Sequence, residues 1–359
     1  VDLEQTLNSN VSDNLKDIAR NSLKAQEKVL KIYEVFHEFA SQYDLKNDFA
    51  FIFVDKHYES NYVKLGNEEI YIEFTSDRVI QLKDALSVKA VDASDEENQA
   101  DFCYPIEGYE APYGKSQLVM MVDTAVTPDY PKNTDELLEF CKANKGKVTY
   151  PALPDFTGSA FVRNIIYDIC GYEQFMDMEA DKETVKAAIE PALEYLRELN
   201  PYLWNEGKTF PQDSTTVTNM FADGELVMNV VYGAYSVATN IENGTYAETT
   251  QSFQFDKGTI GNTNYIAIAA NSGNVAGAQV AINEMMDPEV QADRFAKIRT
   301  VPVVDYNKLS DAQKEAFDKV DIGKGVIAQD ELLSKRLPEM PSALVPIIEE
   351  IWQEEVVGK

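Results

Sequence analysis

The sequence predicts an α/β fold with largely parallel sheets, divided between two domains or lobes. Its 359 residues are too many for one comfortable hydrophobic core. Apolar runs typical of strands alternate with segments whose apolar residues recur at helical spacing, which is typical of α/β proteins. Hydrophobic residues make up 44% of the chain and charged residues 26%, the balance of an ordinary globular protein.

The first hundred residues are predicted to hold a long or broken helix followed by two strands. Apolar residues recur at three-and-four spacing over residues 11–43, and residues 49–54 and 69–74 have the character of strands. An acidic loop at 92–99 then leads into a segment dense in Tyr, Pro and Gly at 104–114. A rigid aromatic segment of this kind, just before a buried strand, suits a cleft or a hinge.

Strands and helices alternate through the rest of the chain. Strands are predicted at 118–122, 148–150 and 225–231, the first of them buried. Helices are predicted at 133–144, 159–170, 184–199, 276–286 and 341–355. Gly171 is expected to end the helix at 159–170, and Thr157 or Ser159 to cap its start.

Charge and histidine content narrow the range of functions. Asp and Glu total 61 against 32 Lys and Arg, a formal charge of -29, so phosphate backbones and anionic lipids are repelled and no nucleic-acid partner is expected. The chain has only two histidines, His37 and His57, which are too few to favour a histidine-based zinc site or a catalytic triad. No catalytic residue, metal or cofactor is therefore predicted.

The cysteines and the apolar runs do not by themselves show in which cellular compartment the protein lies. Cys103, Cys141 and Cys170 form neither a metal-type pair nor an even disulfide set, and we expect them to be core residues. No run of about twenty apolar residues is present to span a membrane. The chain begins with Val1 rather than Met, as a processed or trimmed chain would, and any signal or lipid-anchor segment is then missing from this sequence.

The segment 150–161 is predicted to contain a helix N-terminus that can bind an anion. It runs from a strand through a proline-fixed loop into a helix, where backbone N–H groups at Thr157, Gly158 and Ser159 are available as donors. With the positive end of the helix dipole, they suit a phosphate, sulfate or carboxylate, although many helices begin this way without a ligand. The lysine of a P-loop is absent, so nucleotide hydrolysis is not implied.

Aromatic and acidic side chains are concentrated at predicted strand ends, turns and loops. Rings there can stack on flat or cationic ligands, or simply pack the two lobes. The carboxylates can pair with a positive ligand group or serve as the acid and base of a glycosidase. The rings are Tyr104, Tyr109, Tyr113, Phe156, Trp204, Phe210, Tyr232 and Tyr235, and the carboxylates are Glu107, Glu110, Asp155, Glu206 and Asp213.

Three stretches carry a resemblance to a known family. The segments at 107–115, 150–164 and 221–235 resemble the extracellular solute-binding proteins of ABC importers, and more narrowly their YnjB-like branch, described as thiamine-like by association. The likeness extends from Asp101 to the C-terminus. Residues 1–100 lack the Gly-rich, Trp-containing loop with which members of the family usually open.

The resemblance implies a type II periplasmic-binding-protein fold, with solute held in a cleft between two α/β lobes. We expect the first lobe to comprise 1–120 and 255–300 and the second 121–254 and 301–359. The hinge crossovers are then expected near 117–122, 243–255 and 299–304. The implied partners of this extracytoplasmic, lipoprotein-like monomer are a membrane permease and its ATPase.

The predicted ligand site follows from the aromatic, acidic and helix-start residues described above, taken together with the family resemblance. Five rings are expected to stack on the ligand or line the cleft, three backbone positions to donate hydrogen bonds, and two carboxylates to orient them. With Phe156 and Asp213 added to these ten, the full set is Glu107, Tyr109, Tyr113, Asp155, Phe156, Thr157, Gly158, Ser159, Trp204, Asp213, Tyr232 and Tyr235.

Three classes of function remain open at this point. The solute of a binding protein is expected to be thiamine-like, or another cationic or phosphorylated ring compound, while polyamines, carbohydrates and metal chelates also remain open. A carboxylate-based glycoside hydrolase predicts turnover. An adhesion or scaffold protein predicts neither a cleft ligand nor hinge motion.

Overall fold

The computed structural model describes residues 61–65, 68–72, 100–101, 104–106, 108–153, 155–269 and 272–359. The predicted helix at 11–43, the strand at 49–54 and the loop at 92–99 lie outside these residues. The chain divides into two units, Val1–Ile80 with Ile268–Ala281, and Gln81–Ala267 with Ile282–Lys359. The predicted lobe boundaries stay a prediction.

Ten strands occur in the described part of the chain. β1 and β2 form an antiparallel hairpin that belongs to the first unit. The other eight belong to the second unit. In chain order the strands are β1 (Asn61–Leu65), β2 (Glu68–Ile72), β3 (Ala100–Asp101), β4 (Tyr104–Pro105), β5 (Glu110–Gln117), β6 (Val119–Asp123), β7 (Met228–Val231), β8 (Thr250–Phe253), β9 (Thr259–Ala267) and β10 (Arg336–Leu337).

Ten α-helices complete the described elements, together with short 3₁₀ turns. They are α1 (Thr134–Ala143), α2 (Phe156–Cys170), α3 (Lys182–Leu199), α4 (Ser214–Ala222), α5 (Ser236–Glu242), α6 (Val275–Met285), α7 (Pro288–Ile298), α8 (Asp311–Asp318), α9 (Gln329–Ser334) and α10 (Val345–Glu355). The five predicted helices from residue 133 onward are confirmed as α1, α2, α3, α6 and α10. Gly171, at φ 79°, follows α2 as predicted.

Two three-stranded sheets organise the second unit, in the orders β10-β9-β5 and β7-β6-β8. Strand β6 pairs antiparallel with β7 and with β8, and β5 pairs antiparallel with β9. Among the described strands the pair β9–β10 is the one parallel pair. This differs from the largely parallel sheets predicted from alternation, because β7 and β8 both run against β6 when the chain returns to it.

Strand β6 lies at the centre of the core, with both faces covered. Its residues Val119 and Met121 belong to one hydrophobic cluster, while Met120 and Val122 belong to another. All four side chains are fully buried. Period-two alternation therefore places apolar residues on both faces, which explains the continuous apolar run in the sequence and confirms the predicted buried strand.

The segment 148–150 is buried but forms no strand, so this prediction was wrong. The Lys147 carbonyl accepts a hydrogen bond from Val227 N at 2.9 Å, and the Val148 carbonyl accepts one from Trp204 N at 2.8 Å. These donors come from two separate segments of the chain. The backbone of this apolar run makes single hydrogen bonds to different partners, so it does not form the repeated hydrogen bonds to one neighbouring strand that define a β-strand.

Two connections carry the chain between the sheets, from β5 to β6 and from β8 to β9. The buried Gln117 Nε2 donates to Thr259 Oγ1 at 3.2 Å and to the Leu332 carbonyl at 3.0 Å. Gln254 Nε2 donates to the same Thr259 hydroxyl at 3.1 Å. A buried amide from each connection thus holds one shared hydroxyl, at positions within or next to the predicted crossovers.

Candidate functional site

Two half-buried rings meet where β7 ends and α2 begins. Tyr232 follows the last residue of β7, and Phe156 is the first residue of α2. Their ring centroids lie 4.7 Å apart at an interplanar angle of 81°, an edge-to-face arrangement that aromatic pairs favour. The Arg163 guanidinium lies 5.9 Å from the Phe156 centroid. We call Phe156, Tyr232 and Arg163, with Glu339 behind them, the aromatic–ion cluster.

A buried ion pair supports these rings. Arg163 is fully buried and Glu339 is 5% exposed. Arg163 Nη2 lies 3.0 Å from Glu339 Oε1, and Arg163 Nε donates to the same oxygen at 3.2 Å. The Tyr232 hydroxyl donates to Glu339 Oε2 at 3.2 Å. One carboxylate therefore neutralises the arginine and fixes the tyrosine.

The electrostatics keep Tyr232 in its protonated form. Burial raises the pKa of the Tyr232 hydroxyl well above its usual value, and the negative charge of Glu339 adds to this, while Arg163 and Arg336 oppose it. Tyr232 consequently stays a hydrogen-bond donor to Glu339.

On its other side, Arg163 is linked to the C-terminal helix through Ser159. Arg163 Nη1 donates to Ser159 Oγ, and Ser159 Oγ donates to Glu349 Oε1 at 2.6 Å. The side chain of Ser159 is therefore committed to a structural network that joins α2 to α10.

Asp155 caps α2, which corrects the predicted cap at Thr157 or Ser159. Asp155 Oδ1 accepts from Thr157 N at 2.9 Å and from Gly158 N at 3.1 Å, and Ser159 N donates to the Asp155 carbonyl at 2.9 Å. The three predicted donors are thus engaged by the residue just before the helix. Asp155 Oδ2 also accepts from Ser214 N at 3.1 Å, which joins the starts of α2 and α4.

The predicted site residues separate into two groups in the structure. Asp155, Phe156, Thr157, Gly158, Ser159 and Tyr232 come together around the start of α2. Asp213 caps the neighbouring helix α4 by accepting from Thr216 N and Oγ1, each at 2.8 Å. These hydrogen bonds lower the pKa of the Asp213 carboxyl, so Asp213 is a helix cap held in its charged form.

The other predicted rings lie in different surroundings. Tyr235 is 1% exposed and belongs to the core, with its ring 5.7 Å from that of Phe295. Trp204 is half-buried against the same core cluster. Tyr113 is stacked under Arg294, whose guanidinium lies 5.2 Å from the ring centroid. Tyr109 is half-buried, and Glu107 lies outside the described residues.

Sequence reasoning missed Arg163 and Glu339. The sequence pattern could have predicted Arg163, because a charged residue within the apolar run 160–166 is expected to be buried with a partner. No sequence pattern could have identified Glu339, since it is one of 61 acidic residues and lies 176 positions from Arg163.

The described residues contain no group of three or more His, Cys, Asp or Glu side chains able to hold a metal ion. None of the helices described is long and apolar enough to cross a membrane. Cys141 is a buried free thiol, as expected for a core residue, and Cys170 is a partly buried one. Cys103 lies outside the described part of the chain.

Solved structures define the class of this fold. A putative spermidine/putrescine ABC transporter protein from Listeria monocytogenes superposes with a TM-score of 0.54 at 17% identity, covering 79% of this chain and 79% of that chain. A periplasmic thiamin binding protein gives 0.50 at 15% identity, covering 78% and 73%. Identities this low show the fold alone, which is that of type II periplasmic binding proteins, as predicted.

Sequence comparison identifies the family within this class. Residues 72–317 match the bacterial extracellular solute-binding proteins, and the chain belongs to that family. It is 34% identical to the protein YnjB of Escherichia coli K12 over 219 residues, which are 60% of this chain and 56% of YnjB. The match thus spans little more than half the length of that relative. The resemblance drawn from the three sequence stretches is confirmed.

Proposed function

We propose that this protein is the substrate-binding component of an ABC importer. It captures a small solute between two lobes outside the cytoplasm and delivers it to a membrane permease driven by an ATPase. Membership of the extracellular solute-binding family and the type II fold support this proposal. The protein binds its solute as a monomer and does not transform it.

The observation that carries the proposal is the aromatic–ion cluster. Phe156 and Tyr232 are half-buried rings at the end of a strand and the start of a helix, and a buried ion pair holds them from behind. Rings that are fixed before a ligand arrives lose little conformational freedom on binding, which favours affinity. We expect these rings to form a wall of the cleft, where they suit the capture of a flat molecule by stacking.

The solute that best fits this wall is a cationic ring compound of the thiamine type. Aromatic faces attract cations, and the excess of negative charge raises the local concentration of cationic ligands. A phosphorylated ring compound is less favoured, because Asp155 already occupies the backbone donors of Thr157 and Gly158. The structural neighbours include a periplasmic thiamin binding protein and a putative spermidine/putrescine ABC transporter, and thiamin, spermidine and putrescine are cations.

Closure of the two lobes is the step that we expect to retain the solute. The chain crosses between its two larger sheets near Gln117 and near Gln254, where the shared Thr259 hydroxyl joins the connections. The boundaries 1–120 with 255–300 and 121–254 with 301–359 are our proposed lobes. A ligand that contacts both lobes stabilises the closed state by its differential affinity for that state.

Calorimetric titration with thiamine tests the site directly. Removing the Tyr232 ring with Tyr232→Ala is expected to weaken thiamine binding by about 1–3 kcal/mol, the range for an anchoring aromatic side chain. Tyr306→Ala is the matched control, because Tyr306 is an exposed ring bonded to Asp318 in a different part of the unit. The control is expected to bind thiamine as the unaltered protein does.

A thermal-shift panel of thiamine, thiamine phosphate, spermidine and neutral sugars extends the test. A ligand at about a hundred times its dissociation constant stabilises the fold by about 2.7 kcal/mol, which gives a clear shift. Stabilisation by a cation without its chemical turnover supports the proposal. Hydrolysis of glycoside substrates, or equal loss of thiamine binding in Tyr306→Ala and Tyr232→Ala, argues against it.

A further inference from the structure

A polar pocket lies along the outer edge of β8. This strand ends the sheet β7-β6-β8, so one of its edges pairs with β6 and the other pairs with no described strand. The pocket has a volume of about 480 Å³, and residues 251–254 and the segment 325–328 belong to its lining. Lys132, Glu331 and Lys335 line it as well. We call this feature the edge pocket.

Two backbone hydrogen bonds engage this edge on either side of Gln254. Ser252 N donates to the Gly325 carbonyl at 2.7 Å. Asp256 N donates to the Lys132 carbonyl, also at 2.7 Å. Backbone groups two residues apart in an extended chain face the same edge, so Gln254 presents its N–H and C=O between these bonds. Neither group bonds to a described residue. Ser252 Oγ and Gln254 Oε1 are also buried without a partner in the described part of the chain, so this edge carries more polar groups than the fold satisfies there.

One ammonium group of the lining makes no hydrogen bond to a described residue. Lys335 Nζ lies 3.9 Å from Asp256 Oδ1 and 3.8 Å from Glu331 Oε1, beyond hydrogen-bond distance. The Lys335 side chain is 32% exposed, so most of it is removed from solvent. Its three N–H donors are therefore available to an acceptor in the pocket. The charges of Lys132 and Lys335 balance those of Asp256 and Glu331, so the lining carries no net charge.

These groups together match a short zwitterionic peptide. A main-chain donor and acceptor at a sheet edge pair with the amide of an added extended segment. A carboxylate accepts from the Lys335 ammonium group, and an ammonium group is attracted to the carboxylates of Asp256 and Glu331. Because the lining is neutral, a compound with one charge of each sign fits it better than an anion or a cation does. A dipeptide carries the ammonium group, the amide and the carboxylate in one molecule.

The edge pocket is separate from the aromatic–ion cluster. Lys257 follows Asp256, and its ammonium group donates to the carbonyl of Asp168 in the last turn of α2. Phe156 begins α2, and the helix rises by about 18 Å between residues 156 and 168. The two features therefore lie toward opposite ends of α2, and a ligand in the pocket does not occupy the proposed solute site.

We propose that the edge pocket is a second ligand site of this protein and that it binds a dipeptide. The amide of the dipeptide pairs with the main chain of Gln254, its carboxylate accepts from Lys335, and its ammonium group lies against Glu331. This inference goes beyond the proposed function and does not depend on it, because none of these residues belongs to the aromatic–ion cluster.

Calorimetric titration of the full chain with glycylglycine tests the site. Two analogues each lack one of its groups: δ-aminovalerate has the same chain length and charges without the amide, and acetyl-glycylglycine lacks the ammonium group. Each analogue is expected to bind about tenfold more weakly than glycylglycine, as the loss of hydrogen bonds to main-chain or charged groups predicts. No heat of binding with glycylglycine, or equal affinity for glycylglycine and δ-aminovalerate, would overturn the proposal.

A pair of lysine variants tests the position of the site. Lys335→Met removes the ammonium group and is expected to weaken glycylglycine binding about tenfold. Lys297→Met is the matched control, because Lys297 pairs with Asp293 four residues before it, as Lys335 does with Glu331. The control is expected to bind within about 1.5-fold of the unaltered protein, since a distant surface charge is screened. Equal affinities of the two variants would show that Lys335 does not hold the dipeptide.

Thiamine titration of the same samples separates the two sites. Tyr232→Ala is expected to leave glycylglycine binding unchanged, and Lys335→Met is expected to leave thiamine binding unchanged, which also shows that this variant is folded. Loss of glycylglycine binding in Tyr232→Ala would place the dipeptide at the aromatic–ion cluster and overturn the second site. Failure of the protein to bind thiamine would count against the solute proposed above and leave the glycylglycine result to be judged by itself.

Discussion

At the scale of single residues, Arg163 and Glu339 determine how the aromatic pair is held. A buried charge is costly unless it is paired and hydrogen-bonded, and each member of this pair supplies what the other needs. Glu339 also accepts from Tyr232 and from Met340 N, at 3.2 and 3.1 Å. The ion pair therefore fixes a ring position more than it adds stability.

Loss of the negative charge of Glu339 is expected to destabilise the protein. Glu339→Gln leaves the Arg163 guanidinium buried without a counter-charge, so the free energy of unfolding is expected to fall by about 3 kcal/mol. Urea unfolding measures the change. Glu315→Gln, which breaks an exposed pair with Lys319, is expected to leave the unfolding midpoint unchanged.

A second variant separates charge from packing. Arg163→Met combined with Glu339→Leu removes both charges, and it is expected to destabilise less than Glu339→Gln because no unpaired charge stays buried. A double variant that is less stable than the single one would show that packing, and not charge pairing, dominates at this position.

At the scale of elements, the start of α2 is shaped by a close approach of two backbones. A Cβ atom placed on Gly158 would lie 2.1 Å from the Pro151 carbonyl oxygen and 2.8 Å from its carbon. The absence of a side chain allows the loop after 150 to fold back on the helix. Gly158, predicted as a ligand donor, is explained by this contact and by its hydrogen bond to Asp155.

Gly158→Ala is therefore expected to destabilise the protein by about 1–3 kcal/mol, as overpacking does when a backbone must shift. Thermal unfolding measures the effect. Gly273→Ala is the control, because a Cβ there meets no atom within 4 Å and the position needs no positive φ. Equal stability of the two variants would contradict the close approach.

At the scale of the whole molecule, burial of weakly acidic groups links folding to alkaline pH. Burial raises the pKa of the Cys141 thiol to about 12. Burial also raises the pKa values of Tyr150, Tyr195 and Tyr235. A group with a higher pKa in the folded state keeps its proton while the unfolded chain releases it, so the stability it contributes is lost as pH rises.

These groups are expected to leave the protein's urea unfolding midpoint unchanged below about pH 8.5 and to lower it progressively toward about pH 12. The reason is that an unfolded thiol ionises near about pH 8.5 and an unfolded tyrosine near about pH 10. Cys141→Ala is expected to flatten the first part of this decline, between about pH 8.5 and about pH 10. Equal slopes in that interval for both proteins would show that Cys141 is not shielded from solvent.

The sequence by itself determined where five of the ten described α-helices and the central strand lie, because a few neighbouring residues set those patterns. It also fixed the acidic balance, the scarcity of histidine and the aromatic rings at Phe156 and Tyr232. Only the tertiary structure decided the strand directions, the burial of Tyr235 in the core and the engagement of the α2 donors by Asp155. Pairings such as Arg163 with Glu339 depend on the path of the chain between distant positions, and no local pattern specifies that path.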